Sequence, residues 1–338
     1  MKSLLAPLLL LPLALSAEIL LPDPAVLADQ GRYAMVGTDD NSSKQGRFKI
    51  YTSTNLVDWS VLPTKLDGNA ILPNSELIEW ICFWAPQVFR WNGKYGLAYT
   101  AGYRWAIALS DKLEGPYRKY ADFSRAEGSH PRIDPCIFFD EGGKVYAYWS
   151  DISFPGIAAV ELSADLKQFV GKPVCCVKRD KPWELKPLEP KYEALNAKYR
   201  EEYAKEGKVF TERYGTSPTT AEGPSVIKRH GKYVLFYSTN DYRSPDYSVC
   251  AAVADSPLGP WKKLQEYPVL SREESGLNGT GHGDVVFDGE GRMWYVFHAH
   301  NSSIRISPRR TGIIRLEETL APDGYPRYKA IPRTMRLF

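Results

Sequence analysis

"GPSVIKRHGKYVLFYS", residues 223–238, has the layout of a β-hairpin. A short β-branched run follows Pro224, a polar turn carries Gly231, and an aromatic-rich alternating strand returns to Ser238. The same layout occurs four more times, as "DPAVLADQGRYAMVGT" from Asp23, "APQVFRWNGKYGLAYT" from Ala85, "DPCIFFDEGGKVYAYWSD" from Asp134 and "GDVVFDGEGRMWYVFHA" from Gly283. The segment after each hairpin repeats as well. "FKIYTSTNLVDW", "WAIALSDKLEGPY", "IAAVELSADLKQF" and "SVCAAVADSPLGPW" each read as a third strand leading to a shorter outer one, and "TGIIRLEETLAPDG" is a degenerate fifth copy.

Aligned on Pro24, Pro86, Pro135, Pro224 and Asp284, the repeats are 62, 49, 89 and 60 residues apart. A sheet of four short strands needs about 45 to 50 residues. Five such sheets cannot each bury both faces alone, so they stack radially: an all-β, five-bladed β-propeller. A β-sandwich, the alternative, calls for unlike strands instead of a recurring four-strand unit. The 89-residue step carries an insertion over about 180–215, between blades 3 and 4. In it Tyr192, Leu195, Tyr199 and Tyr203 fall on one helical stripe, Glu201 and Lys205 form an i,i+4 pair, and Gly207 is a stop. Placed just before Glu222, this helix belongs beside the channel mouth, either as a lid or as surface decoration.

The composition agrees with this architecture. Apolar residues make up 43% and charged residues 25%, and 26 Gly and 25 Pro suit many hairpins. Nine Trp and 21 Tyr suit stacking on sugar rings, while a net charge of +3 points to neither nucleic acid nor an anionic membrane. "MKSLLAPLLLLPLALSAE" reads as a secretory signal cleaved near Ser16 or Ala17, too short to span a bilayer. The expected mature chain is then one catalytic domain over 18–338, secreted or periplasmic and monomeric. The five scattered cysteines, Cys82, Cys136, Cys175, Cys176 and Cys250, have no metal-ligand spacing and read as buried small hydrophobes with at most one bridge.

In a propeller the innermost strands run along the central channel, so the residues opening the five repeats converge on one funnel. Those openings are Asp23, Trp84-Ala85, Asp134, Glu222-Gly223 and His282-Gly283. Crowded carboxylates at a narrow mouth repel one another and lose solvent, which raises at least one pKa, so packing gives no reason to put three there. An acid that protonates a departing oxygen, a second carboxylate opposite it and a third beside the acid suit glycoside hydrolysis.

"LPDPAVL", "FWAPQVF", "HPRIDPCIFF", "AEGPSVI" and "GTGHGDVVF", in this order and one per blade, resemble glycoside hydrolase family 43 over about residues 20 to 320. That resemblance implies a five-bladed propeller acting as an arabinofuranosidase, β-xylosidase, arabinanase or galactosidase that inverts the anomeric centre. It implies Asp23 as general base, Glu222 as general acid and Asp134 as the residue that sets the pKa of the acid. It also implies Trp84 in the wall of the −1 subsite, and His282 at the channel near a calcium ion or an ordered water. The resemblance implies that an arginine at or near "PRRTGII" lies over a sugar hydroxyl, Arg309 first, with Arg305 and Arg310 as competitors. The β-fructosidases share the fold, but their Asn-Asp-Pro-Asn opening is absent here, and the second sandwich domain they carry does not follow the fifth blade. The expected activity is exo-hydrolysis of terminal α-L-arabinofuranosyl or β-D-xylosyl residues, for which no cofactor is required. Exo-β-1,3-galactosidase, β-fructosidase-like hydrolysis and non-catalytic sugar binding are the alternatives. The length of the chain, with no appended module, favours short or trimmed substrates.

Overall fold

Adjacent residues of "KYVLFYST" face opposite ways, and both faces are buried. Val234 and Phe236 pack toward one neighbouring sheet, Leu235 and Tyr237 toward the other. This two-sided burial is what a propeller blade demands, and it recurs in all five sheets of the computed structural model. The structure describes residues 18–38, 48–64, 83–123, 132–151, 156–207, 214–215 and 221–338. The expected signal segment 1–17 and Cys82 lie outside the described residues.

Blade 1 contains β1 (Ala25–Asp29), β2 (Arg32–Val36), β3 (Ile50–Ser53) and β4 (Ser60–Val61). Blade 2 contains β5 (Trp84–Trp91), β6 (Lys94–Ala101), β7 (Arg104–Ser110) and β8 (Arg118–Asp122). Blade 3 contains β9 (Arg132–Phe139), β10 (Val145–Asp151), β11 (Gly156–Leu162) and β12 (Phe169–Lys178). Blade 4 contains β13 (Ala221–Arg229), β14 (Lys232–Thr239) and β15 (Ser248–Ala254). Blade 5 contains β16 (Gly281–Phe287), β17 (Met293–Ala299), β18 (Arg310–Leu320) and β19 (Pro326–Ala330), with β20 (Arg336–Leu337) also on β18. All pairings are antiparallel, and the inner strands touch in a closed ring, β1–β5–β9–β13–β16–β1.

Two details depart from the repeat. The outer strand of blade 4 is reduced to bridges at Lys262 and Leu270. The fifth copy, degenerate in sequence, instead builds the largest sheet, because β18 is long enough to pair with both β19 and β20. The ring closes there: Thr311 N donates to Ile19 O, Ile19 N to Phe338 O, and Phe338 N to Thr311 O, each at 3.0 Å.

Five apolar clusters fill the five gaps between blades. The gap between blades 2 and 3 is the most aromatic, with buried Trp105 and Trp149 packed with Phe123 and Phe169. Burying each such side chain contributes about 1.5–3 kcal/mol. Cys136 and Cys250 sit in strands β9 and β15 as expected, and the four described cysteines are free thiols.

The insertion forms helix α1 (Pro190–Lys205), and Gly207 is left-handed at φ 66° just past its end. Tyr192, Leu195 and Tyr199 pack as one stripe against Tyr214 and Ile306. The i,i+4 ion pair observed on the helix is Lys198–Glu202, at 3.9 Å, not the expected Glu201–Lys205. Asn278 Nδ2 donates to Tyr192 Oη at 2.8 Å, and Asn240 Nδ2 to Trp183 O at 2.6 Å, so the insertion is fastened to loops of blades 5 and 4.

Candidate active site

Each inner strand opens with a bulge whose first residue is left-handed: Asp23 (φ 53°), Ala85 (φ 42°), Asp134 (φ 59°), Gly223 (φ 61°) and His282 (φ 41°). The ladder slips at this point in blades 2, 4 and 5, and in blade 3 between Ile133 and Cys136. Such a bulge re-aims a side chain away from the sheet and into the channel. The five residues correct the sequence alignment: Gly283, not Asp284, matches the prolines of the other repeats. Proline is excluded there because a Cβ at Gly283 would lie 1.7 Å from Val296 O. Asp23, Asp134 and His282 are therefore equivalents, whereas Glu222 stands one residue earlier, in the place Trp84 takes in blade 2.

A second layer of equivalents holds the bulges. Thr38, Thr100, Ser150, Ser238 and His298 stand at equivalent places at, or just past, the ends of the second strands of the five blades. Thr38 Oγ1 accepts from Ala85 N at 2.8 Å, Thr100 Oγ1 from Asp134 N at 2.9 Å, and Ser238 Oγ from His282 N at 2.8 Å. Each bond joins one blade to the next. In blade 5 a histidine replaces the hydroxyl, and His298 Nδ1 stands 3.2 Å from Asp23 N.

Asp23 lies at the centre of a cluster formed by Thr38, Arg309 and two histidines. Thr38 Oγ1 donates to its Oδ2 at 2.6 Å, and Arg309 Nη1 donates to its Oδ1 at 3.0 Å. His298 Nδ1 and His282 Nδ1 stand 3.1 and 3.3 Å from the same oxygen. Burial alone would raise its pKa, but Arg309, then His282 and His298, outweigh burial and hold the carboxyl well below its usual range. Asp23 therefore ionises more readily than an ordinary aspartate. Burial and the Arg309 charge push His298 down to about 4, so its ring is neutral.

Glu222 has the opposite surroundings. Burial, then the negative charge of Asp134, push its pKa well above the usual range, and Asp241 and Asp23 add to the rise. The Tyr247 hydroxyl donates to Glu222 Oε1 at 2.7 Å and opposes that rise. Asp134 is raised too, by burial and by Asp23; His282, the Ser150 hydroxyl (2.9 Å from Oδ2) and the Gly223 amide counter this. Desolvation and like charge thus put the proton on Glu222, with Asp134 close enough to keep it there.

Each of the remaining expected residues has a definite place. Trp84 meets the exposed Tyr103 edge to face, centroids 5.3 Å apart. Arg309 is buried over the Tyr242 ring at 4.8 Å, while Arg310 pairs with Glu18 and Arg305 Nε donates to Ser307 O. Of the three arginines, Arg309 is the one in contact with Asp23, so its first partner is a carboxylate. His282 packs so tightly on Gly223 that a Cβ there would come within 2.6 Å of its ring. Tyr247, His298 and Asp241 escaped the sequence reading. For His298 a signal existed: it stands in register with two threonines and two serines.

The channel below the carboxylates holds a cavity of about 30 Å3 lined by Asp23, Asp134, His282, Asp284, Gln87 and others. Calcium takes six to eight oxygen ligands, and a space of this size suits about one water. The three carboxylates here already accept from protein donors, and among the described residues no three His, Cys, Asp or Glu side chains converge as a metal site.

The sequence profile of "Glycosyl hydrolases family 43" matches residues 17–326. A β-xylosidase of Xylanibacter ruminicola is 28% identical over 242 residues, covering 66% of this chain and 67% of that protein. An extracellular endo-α-(1→5)-L-arabinanase of Bacillus subtilis is 27% identical over 176 residues, covering 43% of this chain and 36% of that protein. Among solved structures, an endo-1,4-β-xylanase from Bacteroides thetaiotaomicron superposes with a TM-score of 0.72 at 27% identity, covering 93% of this chain and 98% of that one. With the five blades and the funnel carboxylates in place, the match over nearly the whole chain identifies the protein as a glycosidase belonging to glycosyl hydrolase family 43.

Proposed function

We propose that this protein is a secreted, exo-acting, inverting hydrolase of xylan- or arabinan-type substrates, releasing terminal α-L-arabinofuranosyl or β-D-xylosyl residues. One observation carries the chemistry: in a single funnel, Asp23 accepts from Arg309 and Thr38, which favours its ionised form, while Glu222 is buried beside Asp134, which favours its protonated form. Opposed displacement of two carboxyl groups separates base from acid.

In the proposed step Asp23 accepts a proton from water as the water oxygen bonds to the anomeric carbon. The glycosidic C–O bond breaks, and Glu222 transfers its proton to the departing oxygen. Asp134 restrains ionisation of Glu222 and acts through it. Glu222 leaves the step negatively charged beside Asp134, and Tyr247 Oη steadies that charge. Proton return from Asp23 to Glu222 through solvent resets the site.

The pentoside reading draws on the relatives, a β-xylosidase, an arabinanase and a xylanase. Exo action draws support from the insertion, which packs on loops of blades 4 and 5 through Tyr214 beside His300 and Lys186 N donating to Asn240 Oδ1. Secretion rests on the N-terminal segment alone. The test is a panel of nitrophenyl α-L-arabinofuranoside, β-D-xyloside and β-D-galactoside with the parent, Asp23→Asn and Glu222→Gln, with the released anomer read by NMR. Turnover undiminished in both variants ends the proposal, and a product of retained configuration ends the inverting step.

A further inference from the structure

The cleft between blades 1 and 5 opens at the end of the strands away from the funnel. Strand β16 starts beside Asp23 and ends at Phe287; the next turn, 288–292, faces the turn 54–58 after β3. Between them is a cavity of about 280 Å3 whose lining includes Tyr33, Leu56, Arg292, Trp294, Ile313 and Arg336. At about 3.3 Å per strand residue, it lies on the order of 20 Å from Asp23.

The lining combines fixed apolar surface with uncommitted donors. Leu56 and Ile313 are buried and form an apolar floor. The Trp294 indole N–H donates to Asp288 Oδ2 at 2.8 Å, which locks the ring in one orientation. Arg292 pairs with both Asp288 (2.7 Å) and Glu290 (2.6 Å), and Arg336 adds a second cation to the lining, so two arginines offset the two acids. The Tyr33 hydroxyl and the exposed Arg336 guanidinium, by contrast, have no acceptor among the described residues. A locked indole, an apolar floor and free donors match a sugar ring, which presents C–H groups on a face and hydroxyl acceptors on its edge.

We propose that this cavity is a second, non-catalytic carbohydrate site, which holds a neutral sugar ring of the polymer whose ends enter the funnel. The identity of the ligand rests on the glycosidase reading; the site itself needs nothing from Asp23 or Glu222. Tethering would raise the local concentration of chain ends without new catalytic contacts.

The test is affinity electrophoresis of the full chain in gels containing soluble arabinoxylan or linear arabinan, in a Glu222→Gln background so that the polymer is not consumed. Trp294→Ala and Arg336→Ala should each weaken polymer binding by about fivefold or more. In the otherwise native chain, the same substitutions should leave kcat/KM for a nitrophenyl glycoside within about twofold of the parent. Equal retardation of parent and both variants overturns the proposal, as does a parent retarded by neither polymer. Should Trp294→Ala lose its fold by circular dichroism, Tyr33→Phe combined with Arg336→Ala carries the test, and unchanged binding there overturns it. Failure of the glycosidase reading would show separately, as hydrolysis undiminished in Glu222→Gln while retardation still depends on Trp294.

Discussion

The rings of Tyr247 and His298 lie face to face, centroids 5.5 Å apart and planes within 13°. Tyr247 donates to Glu222 and His298 touches Asp23, so one stacked pair spans the two groups that perform the proposed reaction. Neither residue needs to exchange a proton with substrate. Burial and Glu222 hold the Tyr247 phenol well above its usual pKa, and His298 is neutral, so both act by position.

Removing the Tyr247 hydroxyl should therefore change the acid and not the base. The bond favours ionised Glu222, so Tyr247→Phe raises the Glu222 pKa and moves the alkaline limb of kcat/KM to higher pH. An accompanying fall of about tenfold in kcat is expected, from looser placement of the acid. A pH–rate profile in which only the acidic limb moves contradicts this assignment.

In the proposed mechanism the acidic limb belongs to Asp23. Arg309 lowers its pKa, so Arg309→Met should raise it, and activity should fail at a higher pH on the acid side. Asp23→Asn, which keeps the shape of the side chain, should lower turnover by about 10³-fold while the far-ultraviolet circular dichroism stays unchanged.

Stability should respond to Glu222 with a definite sign. Its carboxyl is protonated in the folded chain at pH values where the unfolded chain has already lost the proton. Stability is thus lost as pH rises from the ordinary glutamate range toward the raised folded value, by about 1.4 kcal/mol per pH unit within that window. Glu222→Gln has no proton to lose, so its Tm should overtake that of the parent progressively as pH rises. A gap in Tm that does not vary with pH would contradict the buried, protonated state.

Gly223→Ala should be harmful for two separate reasons, a left-handed backbone and a Cβ only 2.6 Å from the His282 ring. A loss of about 1–3 kcal/mol in chemical denaturation is expected, together with reduced kcat from displacement of His282. Glycines in open turns such as Gly231, where a Cβ meets nothing within 4 Å, should show the backbone cost alone.

The propeller was legible because two-sided burial imposes one pattern on every blade, as "KYVLFYST" and "KYGLAYTA" show. Asp23, Asp134 and Glu222 were legible because nothing about packing favours an acid at those places. The phase of the fifth repeat was not: Gly283 replaces proline only to avoid the Val296 carbonyl, a contact between strands that spacing along the chain does not reveal. Tyr247 was hidden for a related reason. It reaches Glu222 from the far end of a loop containing two successive left-handed residues, Asn240 and Asp241, and no periodicity encodes that path.

The five bulges also amount to a set of interchangeable sockets. Each holds the backbone in a form that Asp, Asn, His and Gly tolerate well and β-branched residues do not. Ala85 fills the blade 2 socket with a bare methyl. An aspartate or histidine placed there would give a fourth of the five sockets a polar side chain, on a backbone already shaped to receive it. New specificity could then be built into the hub of this ring without rebuilding any of its loops.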